Sequence, residues 1–111
     1  FRIDAVHEVG GYENVPFFED WYLWGKMLSE GKAVGNIDQS LVLFRSGKGA
    51  LARRRGLSYA RNEFLFFKRL YRLPLPGRWA AWVSLPLRLI IRFLPAHLFG
   101  YVYYFSRKVK N

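Results

Sequence analysis

The sequence predicts an α/β fold that gives way to basic amphipathic helices. Three observations carry that expectation. Apolar residues recur at helical spacing in several stretches, each closed by glycine or proline. Two short apolar runs, residues 33–37 and 41–45, flank the polar turn Asp38-Gln39-Ser40 and read as strands. The charge also divides: residues 1–44 carry a net −4 and residues 45–111 a net +14.

In chain order, residues 2–9 read as a short helix with Ile3, Val6 and Val9 on one stripe, ended by Gly10-Gly11. A loop containing Pro16 follows. A second helix opens at Glu19-Asp20 and runs to Glu30, with Gly31 where a helix-ending glycine belongs. Its apolar stripes are Trp21, Trp24 and Leu28 on one side and Leu23 and Met27 on another, with Trp24 assigned to the core. After the two strands, residues 46–56 form a loop with three glycines and the run Arg53-Arg54-Arg55. Residues 57–71 read as a helix, broken by Pro74, Pro76 and Gly77. Residues 78–94 read as another, bent or restarted at Pro86, and Pro95 separates it from a last segment, residues 96–109.

The 111 residues allow one domain at most. With no cysteine there is no disulfide scaffold, thiolate metal site or cysteine nucleophile. Half of the residues are hydrophobic, which excludes global disorder. The chain begins at Phe1 without an initiator Met or signal peptide, and reads as a piece of something longer.

The basic half asks for an anionic partner: nucleic acid, an anionic membrane surface or a phosphorylated substrate. Arg88, Arg92, Pro95 and His97 interrupt the apolar C-terminal stretch, so it is not an ordinary transmembrane helix. With Trp79, Trp82, Leu85, Leu89 and Phe93 on one side and Arg88 and Arg92 on another, residues 78–94 suit a membrane interface. The same stripe equally suits a core packed on a larger protein, and both readings stand on the sequence alone.

The chemistry is expected in the acidic half. Glu19 and Asp20 open an aromatic-rich helix. Carboxylates there complement the helix dipole, worth roughly 0.3–1 kcal/mol. The sharper reading makes Asp20 a general base, ionised and oriented at the rim of a pocket, taking a proton from an attacking hydroxyl. Tyr12 and Trp21 flank it in sequence, with ring faces that pack on apolar surfaces and polar edges that can hydrogen-bond.

Three strings then fall in order: Val9-Gly10-Gly11-Tyr12, Phe18-Glu19-Asp20-Trp21-Tyr22-Leu23-Trp24, and Leu41-Val42-Leu43-Phe44-Arg45. Together they resemble the C-terminal part of family 2 glycosyltransferases, inverting enzymes with the GT-A nucleotide-sugar-binding fold. The loop from Ser46 to Gly56 resembles the basic glycine loop of bacterial envelope-polysaccharide members. The resemblance covers residues 1–72. It implies a division into residues 1–56, the end of a catalytic domain, and residues 57–111, a basic amphipathic helical tail associated with the membrane.

The resemblance also implies that Asp20 is the catalytic base, that Glu19 helps to place the helix or the acceptor, and that Tyr12 and Trp21 line the acceptor-sugar side. Arg45, Lys48 and Arg54 would stabilise the donor's departing diphosphate. A nucleotide sugar would be the donor and a glycan or lipid-linked molecule the acceptor, at the cytoplasmic face of the bacterial inner membrane. A divalent cation, Mg²⁺ or Mn²⁺, is expected in the full-length enzyme with its ligands outside this chain. Members of the family often carry a His just after the strand-end Arg; here Ser46 and Gly47 follow Arg45, and neither His7 nor His97 is assigned to metal. Two other readings differ in kind. One is a basic nucleic-acid-binding module, against which stand the missing recognition signatures and the acidic first half. The other is a membrane-peripheral adaptor in which Glu19-Asp20 merely starts a helix.

Overall fold

A computed structural model describes residues 2–42, 49 and 52–108, with side chains described as far as Phe105. Five helices organise them: α1 (Ile3–Glu8), α2 (Glu19–Ser29), α3 (Gly56–Arg72), α4 (Arg78–Arg92) and α5 (Ala96–Lys108). Each falls where the apolar spacing and the Gly or Pro punctuation place it. The Gly10-Gly11 stop works as expected. Gly10 and Gly11 sit at φ 80° and 69°, and Gly11 N–H donates to the Val6 carbonyl at 2.9 Å. Pro86 lies inside α4, which continues through it to Arg92.

The α/β expectation, with its GT-A sheet, is overturned: the described residues contain helices and no strand. Residues 33–37 and the described part of the second run, residues 41–42, lie in irregular, exposed chain, and residues 43–45 fall outside the described set. Among the described residues these runs have nothing to pair with. A strand must place its backbone hydrogen bonds on a neighbour and its side chains on a core. Here Val34, Ile37, Leu41 and Val42 are all at least 60% exposed, so the run has no such surface beneath it.

Two apolar clusters hold the helices. Val9, Leu23 and Met27 pack with Ala5 and Val6, joining α1 to α2. The larger cluster contains Val15, Phe18, Tyr59, Phe66, Phe67 and Leu85, so it draws on both sides of residue 56. Helix α2 thus buries its Leu23 and Met27 stripe and leaves Trp21, Trp24 and Leu28 outside. Trp24, expected in the core, is instead exposed and tilted against Trp21 at 5.2 Å. Gly25 lets α2 approach the end of α3: a Cβ at that position would meet Leu70 Cδ1 at 2.7 Å and Leu73 Cδ1 at 3.3 Å.

Helix α4 does not split into an apolar side and an arginine side. Leu85, Leu89 and Trp82 pack toward α3, while Trp79, Val83, Leu87 and Ile90 face outward. Arg88 and Arg92 turn inward because Glu63, the sole acid of the basic half, is fully buried on α3. Arg92 Nε donates to Glu63 Oε2 at 2.8 Å and Nη2 to Oε1 at 3.0 Å, while Arg88 Nε donates to Oε1 at 3.1 Å. Burial alone would raise the Glu63 carboxyl, but the bonds and charges of Arg92 and Arg88 outweigh it and hold the group below its ordinary value.

Candidate functional site

The geometry around Asp20 is built from the loop before α2. Val15 and Phe18 anchor that loop: both are buried, and Phe18 N–H donates to the Val15 carbonyl at 2.9 Å. The Phe18 ring stacks on Phe66 at 4.7 Å and 9°, which fixes the residue immediately before α2 against α3. Between these anchors Phe17 adopts φ 71°, an uncommon conformation for a non-glycine residue, and its ring lies 5.0 Å from Tyr59. With Phe18 turned into the core, Glu19 and Asp20 emerge on the solvent side of the first turn.

Lys26, one and a half turns further along α2, ties the other end of the loop to the helix. Its Nζ donates to Glu13 Oε1 at 2.8 Å and to the Gly11 carbonyl at 3.3 Å. Arg69 of α3 donates to the Asn14 carbonyl at 2.9 Å. The clamp brings Tyr12 over the start of α2, where its hydroxyl donates to Asp20 Oδ1 at 3.1 Å. That bond is the largest cause raising the Tyr12 phenol above its ordinary value, because ionisation would forfeit it beside a carboxylate. One oxygen of Asp20 is thereby engaged, at the positive end of the helix dipole.

A cavity of about 950 Å³ opens beside this corner. Phe17 and Trp21 line it from the α2 side, Arg53 and Arg54 from the turn before α3, and Arg88 and Phe99 from the last two helices. Its wall is thus aromatic with guanidinium groups set among the rings. Arg54 Nη1 donates to Tyr103 Oη at 3.1 Å, and Arg55 bonds the Leu94 carbonyl, so this turn also fastens α5. Arg92 lies 4.6 Å over the Tyr59 ring on the cavity floor.

Of the residues marked from sequence, the structure brings Asp20 and Tyr12 into one hydrogen-bonded pair and Trp21 and Arg54 onto one cavity. Glu19 is exposed beside Asp20. Arg45 and Lys48 lie outside the described residues. Sequence reasoning missed the Lys26–Glu13 clamp, which carried no motif. It also missed the Glu63 centre, although one carboxylate among fifteen bases was a signal. Among the described residues no group of three or more His, Cys, Asp or Glu gathers as a metal site. These residues do not fit a divalent cation, and no step below passes through one.

By sequence, the chain is similar to enzymes named glycosyltransferases. It is 38% identical over 103 residues to an uncharacterized glycosyltransferase of Haemophilus influenzae. It is 34% identical over 103 residues to the UDP-Gal:α-D-GlcNAc-diphosphoundecaprenol β-1,3-galactosyltransferase of Escherichia coli. To the amylovoran biosynthesis glycosyltransferase AmsE of Erwinia amylovora it is 28% identical over 108 residues. These matches take in 93%, 93% and 97% of this chain, but 38%, 38% and 41% of the relatives. The chain therefore spans about two fifths of the length of the curated relatives it matches. The relatives support a glycosyltransferase family for it. No family model and no solved structure matches.

Proposed function

We propose that this chain is the acceptor-side portion of a family 2 glycosyltransferase that moves a sugar from a nucleotide donor onto a lipid-linked glycan. The observation that carries the reading is the Tyr12–Asp20 hydrogen bond at the start of α2, in a chain whose relatives are named glycosyltransferases. Asp20 is the general base. Tyr12 engages Oδ1, and Oδ2 is assigned to the acceptor. As the acceptor hydroxyl gives its proton to Oδ2, its oxygen bonds to the anomeric carbon. The bond from that carbon to the diphosphate breaks on the opposite face, so the configuration inverts. Positive charge beside the leaving diphosphate lowers the barrier. Arg54 with its neighbour Arg53 supplies it at the cavity, and Arg45 and Lys48 are assigned the same role from sequence.

Glu19 reinforces the negative field at the helix start, and Trp21 offers a ring face to the acceptor sugar. The E. coli relative is named for a GlcNAc-diphosphoundecaprenol acceptor, which supports an acceptor of that amphiphilic class. Donor and acceptor would then meet at the cytoplasmic leaflet of the bacterial inner membrane, with the enzyme peripheral to it. The test is transfer by the full-length protein from a panel of UDP-sugars to a synthetic GlcNAc-diphospholipid, with the product's anomeric configuration read by NMR. An inverted product is expected. A retained configuration, or no transfer from any nucleotide sugar, overturns the reading.

A further inference from the structure

One face of the helix pair α3–α4 has a composition that the transfer chemistry does not use. Along α4, Trp79, Val83, Leu87 and Ile90 follow one another at i, i+4, i+8 and i+11, the spacing of a single helical stripe. They are 68%, 71%, 64% and 63% exposed. Both arginines in the middle and at the end of that helix are drawn to the opposite side by Glu63, so the stripe contains no charge. Along α3, Arg61, Lys68 and Arg72 are exposed and share another stripe, at i, i+7 and i+11.

The two stripes are linked across the helix pair through Trp82. The Trp82 ring meets Phe64 edge-on at 6.1 Å and Tyr71 edge-on at 5.7 Å. Phe64 is one turn before Lys68, and Tyr71 adjoins Arg72. This seam of ring contacts joins the α4 segment that carries the apolar row to the α3 segment that carries the basic row. Arg78 lies 5.0 Å over the Tyr71 ring and donates to the Tyr71 carbonyl at 3.3 Å, holding that end of the seam.

We infer that this α3–α4 face lies on an anionic lipid bilayer, with the α4 row buried among the acyl chains and the α3 row against the headgroups. The chemistry matches in both halves: apolar side chains in the hydrocarbon boundary, Trp and Tyr at headgroup level, and Lys and Arg against phosphates. At 15 residues α4 is about 22 Å long, shorter than the hydrocarbon core, so it lies in the plane of the surface. Among the described residues, no helix is long and apolar enough to cross a membrane. A second copy of the chain is a poorer occupant. In its acidic half Glu13 and Glu8 are already paired with Lys26 and Lys32 and Asp20 accepts from Tyr12, and in its basic half the one carboxylate, Glu63, is buried and bonded.

The inference extends the lipid-linked reading above, but its test needs no sugar. Full-length protein is sedimented with vesicles of phosphatidylcholine alone and of phosphatidylcholine mixed with phosphatidylglycerol. Binding to the anionic vesicles is expected, weakening with salt. Val83→Asp with Leu87→Asp should lower the bound fraction about tenfold or more. Arg61→Gln, Lys68→Gln and Arg72→Gln should each lower it about fivefold at low salt, with an unchanged circular dichroism spectrum. Ser84→Asp, exposed on another side of α4, should bind as the parent does. Equal binding by the Val83→Asp/Leu87→Asp protein would overturn the inference. So would Val83→Cys resisting a water-soluble maleimide before vesicles are added, since the face would then be covered by protein. A dimer that Leu87→Asp dissociates, without vesicle binding by the parent, would assign the face to a second copy instead. Vesicle binding without transfer activity would leave this surface standing and sink only the enzymatic reading.

Discussion

Replacing Glu63 by Gln changes a charge and almost nothing of the shape, at the point where α3 and α4 are fastened. Glu63 is fully buried, and its two oxygens accept from Arg92 at 2.8 and 3.0 Å and from Arg88 at 3.1 Å. Gln keeps one acceptor oxygen but presents an NH₂ where the other oxygen was, so at least one charge-assisted bond is lost. Two guanidinium groups are also left without a counter-charge. Breaking a fully buried ion pair costs about 3–5 kcal/mol. The Arg88 side chain is 48% exposed and can regain water, whereas that of Arg92 is 14% exposed and cannot. The expected loss is therefore about 2–4 kcal/mol, a large part of the usual stability of a small domain. Urea denaturation followed by tryptophan fluorescence measures it as a fall in the transition midpoint at constant slope.

The pH dependence gives the same experiment a second reading. The Glu63 carboxyl lies below its unfolded value of 4.5, so its contribution is complete above that value and is lost as the pH falls through the folded value. Acidification below about pH 4.5 should therefore narrow the stability gap between parent and Glu63→Gln, while the gap stays constant between about pH 6 and 8. A Glu63→Gln protein within about 0.5 kcal/mol of the parent at neutral pH would refute the reasoning, since that is the scale of an ordinary surface change.

Gly25→Val should cost about 1–3 kcal/mol, because the new side chain starts 2.7 Å from Leu70 Cδ1 where α2 meets α3; urea midpoints measure this, and Gly25→Ala should cost less because a Leu methyl can swing aside. Tyr12→Phe removes the donor to Asp20 Oδ1 and should lower kcat of the full-length enzyme about fivefold with KM little changed, as befits a residue that orients the base. A change confined to KM would place Tyr12 on the acceptor instead.

The helices were legible because their signals are local. Gly10-Gly11 and Gly31 stop α1 and α2, Gly77 precedes α4, and the apolar spacing between them needs no partner to be read. The Asp20 corner was half legible. The acidic pair at a helix start and the nearby Tyr12 were visible, but the Lys26–Glu13 clamp that joins them depends on how a loop folds back over thirteen residues. The run 33–37 and the described residues 41–42 of the second run misled because period and composition describe a strand only once a neighbouring strand exists, and none accompanies them among the described residues. Helix α4 misled for a related reason. Arg88 and Arg92 read as a wet face until Glu63 is seen across the gap; they share the inner side with Leu85 and Leu89, and the outward row is Trp79, Val83, Leu87 and Ile90.

The central claim rests on one carboxylate. In the full-length enzyme, Asp20→Asn keeps the size of the side chain and its acceptor oxygen for Tyr12, and removes the basicity. The account predicts that sugar transfer to the lipid-linked acceptor falls by about 100-fold or more while the affinity for the nucleotide-sugar donor is retained. Turnover by Asp20→Asn within a few fold of the parent would contradict it.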